Sequence, residues 1–181
     1  MGPTTYSLCQ KPIIGPIMWI LTLCAFPPLF PSTIISLKEP GLVLKTTFEA
    51  PVEKNYPLIL EFYFPTEEER GNDTIVGQGY NEYCKSENRQ YEIIEKHREY
   101  YGKAIPIKVV VKKIPDSTIV IDKTFQTLCT TGHDGHTKKD RDIGYLGLAQ
   151  GQYLIEVFNI SSQPELKGIQ TKIMLAGGHG K

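Results

Sequence analysis

The sequence predicts a mainly β protein: an antiparallel β-sandwich, Ig-like or jelly-roll-like, with one inserted helix and an N-terminal hydrophobic leader or anchor helix. Three observations predict it. Short apolar–polar alternations recur along the chain with turn residues between them, the pattern of half-buried strands at close spacing. Only one stretch carries a helical period, so a βαβ arrangement lacks its crossover helices. The 181 residues include ten Tyr and seven Phe, enough aromatic volume for the core of one ordinary domain. The organisation that follows is a leader over 1–35 and a single sandwich domain over 36–181.

The leader comes first. No charge falls between Lys11 and Lys38, and Pro12 to Phe26 form an apolar run that ends at Pro27-Pro28. A short lead, an apolar run of about 14 residues and a proline break describe a secretory segment. The run is short of the roughly 20 residues of a membrane span, although counting on through Leu29-Phe30 brings it near that length. Three fates stay open. Leu21-Thr22-Leu23-Cys24 resembles a bacterial lipoprotein box in which Cys24 would be lipidated, but Leu23 is larger than the usual residue before that cysteine. Cleavage near Ala25 has Leu23 where a small residue is preferred. Retention as an inner-membrane anchor, with Lys11 inside, follows the positive-inside rule. In each case the body is exported, membrane-anchored or periplasmic.

Beyond a tether at Pro31–Pro40, strands dominate. Gly41–Ala50 alternates, with Leu42, Leu44, Thr46, Phe48 and Ala50 on one face. After a turn at Pro51–Asn55, Leu58–Phe64 places Leu58, Leu60, Phe62 and Phe64 together and Glu61 opposite. Pro65 stops that strand, and Thr66–Asp73 reads as a solvated acidic loop. Asn81–Gly102 is the helical candidate, with a narrow stripe that includes Ile94, Arg98 and Tyr101 and a glycine stop. Ile105–Ile114 and Thr118–Leu128 form a hairpin across Pro115-Asp116-Ser117. Thr130–Asp142 reads as a polar loop. Gln152–Ile160 and Leu166–Ala176 are the last strands, and Gly177–Lys181 is a tail.

Charge excludes one class of partner. Twenty Lys and Arg balance twenty Asp and Glu, and the lysines are scattered, so nucleic acid is not expected. Of four cysteines, Cys9 and Cys24 belong to the leader. Cys84 and Cys129 remain in the body and are a natural pair in an oxidising compartment.

The candidate sites are few. His133 and His136, on a Gly-rich loop with Asp140 and Asp142 nearby, have residue types that could ligate a metal. His97 sits between Glu95 and Glu99 on the helix. Tyr91, Tyr100 and Tyr101, with His97, make the helical insertion a candidate binding surface, because exposed aromatics beside charge are what interfaces use. No Gly-x-Ser-x-Gly elbow, His-Glu-x-x-His or phosphate-cradling loop is present, so no catalytic residue and no cofactor is assigned.

Gly144-Tyr145-Leu146-Gly147-Leu148-Ala149-Gln150-Gly151-Gln152-Tyr153 is a hydrophobic lead, a glycine turn and a Tyr-initiated strand. Pro164-Glu165-Leu166-Lys167-Gly168 leads into the last strand, and Pro40-Gly41 opens an early one. In these features residues 36–176 resemble uncharacterised bacterial exported or lipoprotein β-sandwich domains. The resemblance implies fold and location and carries over no site residue. The function expected is therefore a non-enzymatic, membrane-associated or periplasmic binding protein of the bacterial envelope. Its partner would be a protein there, in the immunity-type form a toxin effector, and the N-terminal segment would contact the membrane. The alternative is a ligand- or metal-binding exported protein, or an enzyme, built on the loop 130–142.

Overall fold

A computed structural model describes residues 27–78, 100–132 and 135–177, with seven scattered positions between 7 and 17. Among the described residues are eight strands and one short α-helix. They are β1 (Phe30–Ile35), β2 (Gly41–Ala50), β3 (Lys54–Tyr63), α1 (Glu67–Asn72), β4 (Ile105–Lys113), β5 (Ile119–Thr127), β6 (Lys138–Leu148), β7 (Gly151–Asn159) and β8 (Gln170–Leu175), with a 3₁₀ turn at Pro164–Leu166 before the last. The strands form two antiparallel four-stranded sheets, ordered β1-β8-β3-β6 and β2-β7-β4-β5. One hydrophobic core draws Leu58, Leu60 and Phe62 from the first sheet and Ile107, Val109 and Ile155 from the second, so the sheets face each other. Each large-to-small change in such a core costs about 2–5 kcal/mol.

The alternations act as the sequence predicts. Ile105, Ile107, Val109 and Val111 are completely buried, as are Leu58, Leu60 and Phe62. The β4–β5 hairpin pairs Ile105 with Thr127 and Lys112 with Ile119 around a turn that holds Ser117 at φ +59°. Leu42 departs from its expected face and is exposed, because a bulge between Leu42 and Leu44 shifts the register against β7.

Other segments differ from the sequence reading. The tether is in part a strand: β1 pairs with β8, Phe30 opposite Leu175 and Ile35 opposite Thr171. Pro31 is tolerated because β1 is an edge strand, where a missing N–H costs no ladder bond. The acidic loop contains α1, whose N-cap Thr66 accepts a hydrogen bond from Glu69 N at 3.1 Å. The polar loop ends early, since β6 begins at Lys138 and pairs along β3. Most of the leader and most of the inserted helix lie outside the described residues; no helix among those described is long and apolar enough to cross a membrane.

Chain direction gives the molecule two poles. β1, β3, β5 and β7 run from one end of the sandwich to the other, and β2, β4, β6 and β8 run back. One pole gathers residues 27–29, the connections 51–53, 114–118 and 149–150, and the end of β8; it is here called the entry pole. The far pole gathers 36–40, 64–78, 100–104, 128–137 and 160–169. Only β4–β5 joins neighbours within a sheet; every other connection crosses between sheets.

Candidate functional site

The far pole is organised around a buried cation. Lys139, Arg141 and Ile143 take the inward positions of β6, so alternation carries two charges into the interior. Arg141 is fully buried with its guanidinium 5.7 Å from the Phe62 ring. Its donors reach four backbone carbonyls: Nε to Val76 O (3.1 Å), Nη1 to Lys103 O (2.7 Å) and Thr127 O (3.0 Å), Nη2 to Ile75 O (2.9 Å) and Val76 O (2.7 Å). Five donors in a fixed fork suit such a cluster, and lysine has only three. Burial pushes the guanidinium down to about 9, against the pull of Asp73, which still leaves it cationic at neutral pH.

Thr127 closes β5, and the other three carbonyls belong to two segments that run side by side. Gln78 N donates to Tyr100 O at 2.8 Å and Lys103 N to Ile75 O at 2.7 Å. Together they form a neck at the foot of the chain between them. Gly77 and Gly102 sit in it at φ +87° and +90°. A Cβ on Gly102 would lie 2.3 Å from Arg141 Nη2, and one on Gly77 2.4 Å from the Tyr101 carbonyl carbon; only glycine fits both the backbone and the space. Thr130 Oγ1 donates to Val76 O and Gly77 O, each at 3.1 Å.

Asp73 holds the other side. Its carboxylate accepts from Ile75 N, Val76 N and Gly77 N at 3.0–3.1 Å and pairs with the buried Lys139 Nζ at 2.8 Å. Burial lowers the Lys139 ammonium, and Asp73 pulls it back. Lys139 also lies 5.2 Å from the Phe64 ring. Charge is thus matched by charge and by peptide dipoles, the condition for keeping ions inside.

Beside this clamp is a groove of about 460 Å³. Phe64, Ile75 and Ile169 give it apolar walls; Glu68 and Glu69 of α1 stand on one side, with Glu165 and Lys167 on the other. Lys103 bridges to Glu165. Glu68 and Glu69 make no ion pair among the described residues. The volume falls within the range of small-ligand and side-chain pockets.

The residues singled out from sequence distribute as follows. Tyr100 and Tyr101 lie at the far pole, rings edge-to-face at 5.3 Å; Tyr100 is exposed, while Tyr101 packs on Leu128 and Cys129. His136 is exposed, with Nδ1 3.2 Å from Glu67 Oε1, and its carbonyl accepts from Arg70 Nε at 2.7 Å; it braces α1. Among the described residues no group of three or more His, Cys, Asp or Glu side chains is placed to hold a metal ion. Cys129 is buried and disulfide-bonded. Cys24, Cys84, Tyr91, His97 and His133 lie outside the described residues.

Sequence reasoning missed Asp73, Lys139 and Arg141. A usable signal was the sign alternation Lys139, Asp140, Arg141, Asp142, which has a strand's period of two. The outer sheet faces carry ion pairs of a different kind. Glu61, almost fully buried, accepts from Ser32 and pairs with Lys138 at 2.7 Å. Burial works against the Lys138 ammonium, but Glu61 and Asp140 outweigh it and hold it above its ordinary value. On the other sheet Glu156 bridges Lys112 (2.7 Å) and Lys45 (2.8 Å), which together hold its carboxyl down at about 2.

Fold and site define a β-sandwich domain with an ionically clamped pole. The chain belongs to the DUF5625 family, a domain of unknown function, which matches residues 32–177. Its fold is similar to the crystal structure of a protein from Sulfurospirillum deleyianum, with a TM-score of 0.56 at 23% identity over 81% of this chain and 95% of that one. These findings agree with the expected resemblance to an uncharacterised β domain. No curated protein matches the chain in sequence.

Proposed function

We propose that this protein is a non-enzymatic binding protein of the bacterial envelope, exported by its leader, that engages a protein partner through the far pole. The observation that carries the reading is the groove between α1 and the 165–169 loop, with apolar walls and the carboxylates of Glu68 and Glu69. The clamp beneath it supports the same reading, because a rigid floor lowers the entropy lost on binding. The uncharged run from Pro12 to Leu37 and the disulfide-bonded Cys129 support an oxidising location. Neutralisation of a toxin effector is the narrower form of this role.

The test is retention of envelope proteins on the immobilised body, 27–181, compared with a Glu68→Lys/Glu69→Lys variant. Both side chains are exposed, so the change spares the core. A partner held by the wild type and lost from the variant is the expected result. Absence of any partner at low and high salt, or equal retention by both proteins, overturns the assignment. Export has its own test: a reporter active only outside the cytoplasm, fused after Lys181, should be active. Two arginines placed within Ile17–Leu23 should silence it, at about 2.5–3.5 kcal/mol each near a membrane centre.

A further inference from the structure

We propose that the entry pole is the membrane-facing surface of this protein: its loops lie against lipid headgroups, and the far pole with its groove stands clear of the bilayer. The proposal rests on the reading of the leader as a membrane anchor and adds a direction to it. Leu29 N donates to Leu175 O at 2.8 Å, and Phe30, buried, pairs opposite Leu175 in the β1–β8 ladder. The chain is therefore fixed to the body from Leu29 onward. Between that point and the apolar run stand only Pro27 and Pro28.

Proline fixes its own φ and holds the residue before it extended, so the junction is short and stiff. Three Cα steps, from Phe26 to Leu29, span at most about 11 Å. A lipid on Cys24 instead would allow five steps, at most about 18 Å. Either anchor keeps the entry pole within reach of the headgroups. That pole offers Glu53, Lys54, Lys113 and Asp116 in its turns and strand ends. Both signs are represented, and beside them Ile119 and Val120 are exposed at the start of β5, so the surface suits apposition to a headgroup layer with a shallow apolar contact.

Strands of nine to eleven residues connect the poles. At about 3.3 Å per residue they carry the far pole roughly 30 Å from the membrane. That is about three to four screening lengths at physiological salt, so the carboxylates of the groove would meet a partner free of the bilayer's own potential.

The test uses the full chain reconstituted into vesicles of phosphatidylethanolamine and phosphatidylglycerol. Flotation reports anchoring. A membrane-impermeant lysine-acylating reagent, read by peptide mass spectrometry, reports orientation. Labelling of Lys113 should fall several-fold relative to the detergent-solubilised protein, while Lys103 and Lys167 at the far pole stay unchanged. A Gly/Ser insert of about 20 residues between Pro28 and Leu29, flexible at that length, should restore Lys113 labelling. A chain that does not float overturns the anchor reading and this proposal together. A chain that floats with equal labelling at both poles, with protection at Lys103 and Lys167, or with no response to the insert overturns the orientation alone.

Discussion

Replacing Arg141 with Met removes the charge and keeps much of the side-chain volume. Four carbonyls lose a donor: Ile75, Val76, Lys103 and Thr127. Val76 O retains Thr130 Oγ1 and Ile75 O retains Lys103 N, so two rest chiefly on the loss. A buried acceptor left unsatisfied costs about 1–3 kcal/mol, giving roughly 2–6 kcal/mol before relief. The relief is the desolvation that a buried guanidinium suffers, and methionine does not. Removing one side of a buried charge arrangement nets about 3–5 kcal/mol, and that is the value expected here. At about 2–4 °C per kcal/mol for a domain of this size, Tm should fall by roughly 6–20 °C. Arg141→Lys should lose less, since an ammonium has three donors but cannot span the fork. Urea denaturation gives the energy, and hydrogen exchange locates it: amides 75–78 and 100–103 should lose protection before those of β4 or β7. If Arg141→Met unfolds within about 1 kcal/mol of wild type, with exchange at the neck unchanged, the clamp is not what holds this pole.

Three further outcomes follow from the same structure. Gly102→Ala should cost about 2–4 kcal/mol by denaturant midpoint, because strain at φ +90° adds to a Cβ contact at 2.3 Å; Gly135→Ala, at φ +65° with nothing within 4 Å, should cost only about 1–2 kcal/mol. Glu156 is depressed to about 2 by Lys112 and Lys45, so it contributes stability that is present above its ordinary carboxylate range and lost as pH falls toward 2; the stability gap between wild type and Glu156→Gln should close over that interval, and a gap constant from pH 5 to 2 would contradict the pairing. Cys84→Ser should lower Tm through opening of a loop of about 45 residues, worth roughly 3–4 kcal/mol, and non-reduced peptide mapping should join Cys84 to Cys129; a different partner for Cys129 would refute that pairing.

The sandwich was legible where burial is written in apolar residues. Ile105, Ile107, Val109 and Val111, or Leu58, Leu60 and Phe62, alternate without interruption, and their strands could be placed to within a few residues. β6 was hidden because its inward positions are Lys139 and Arg141, which any hydropathy reading sends to solvent. Their burial depends on Asp73 and on carbonyls up to 66 residues away in sequence, and no local pattern records that. α1 was announced by Thr66 and Glu69, a capping-box spacing, but the surrounding charge run masked it. β1 was obscured by Pro31, whose tolerance depends on an edge position that only topology reveals. Of the candidate site, Tyr100, Tyr101 and His136 fell at the right pole, whereas the groove arises from α1 meeting a loop about 100 residues later.

The place of β8 has a consequence for how the chain is born. In the first sheet β8 lies between β1 and β3, so the last in sequence of the described strands is a central one, and β1 pairs with no other described strand. A chain delivered N-terminus first must wait, with β1 unpartnered and β3 open along one side, until Gln170–Leu175 arrives. Contacts so distant in sequence close slowly, on the millisecond-to-second scale of sandwich proteins. During that interval the first sheet stays incomplete. Completion of the sheet is then the event that ends it, and a chain cut short before Gln170 would leave two exposed strand edges open to aggregation.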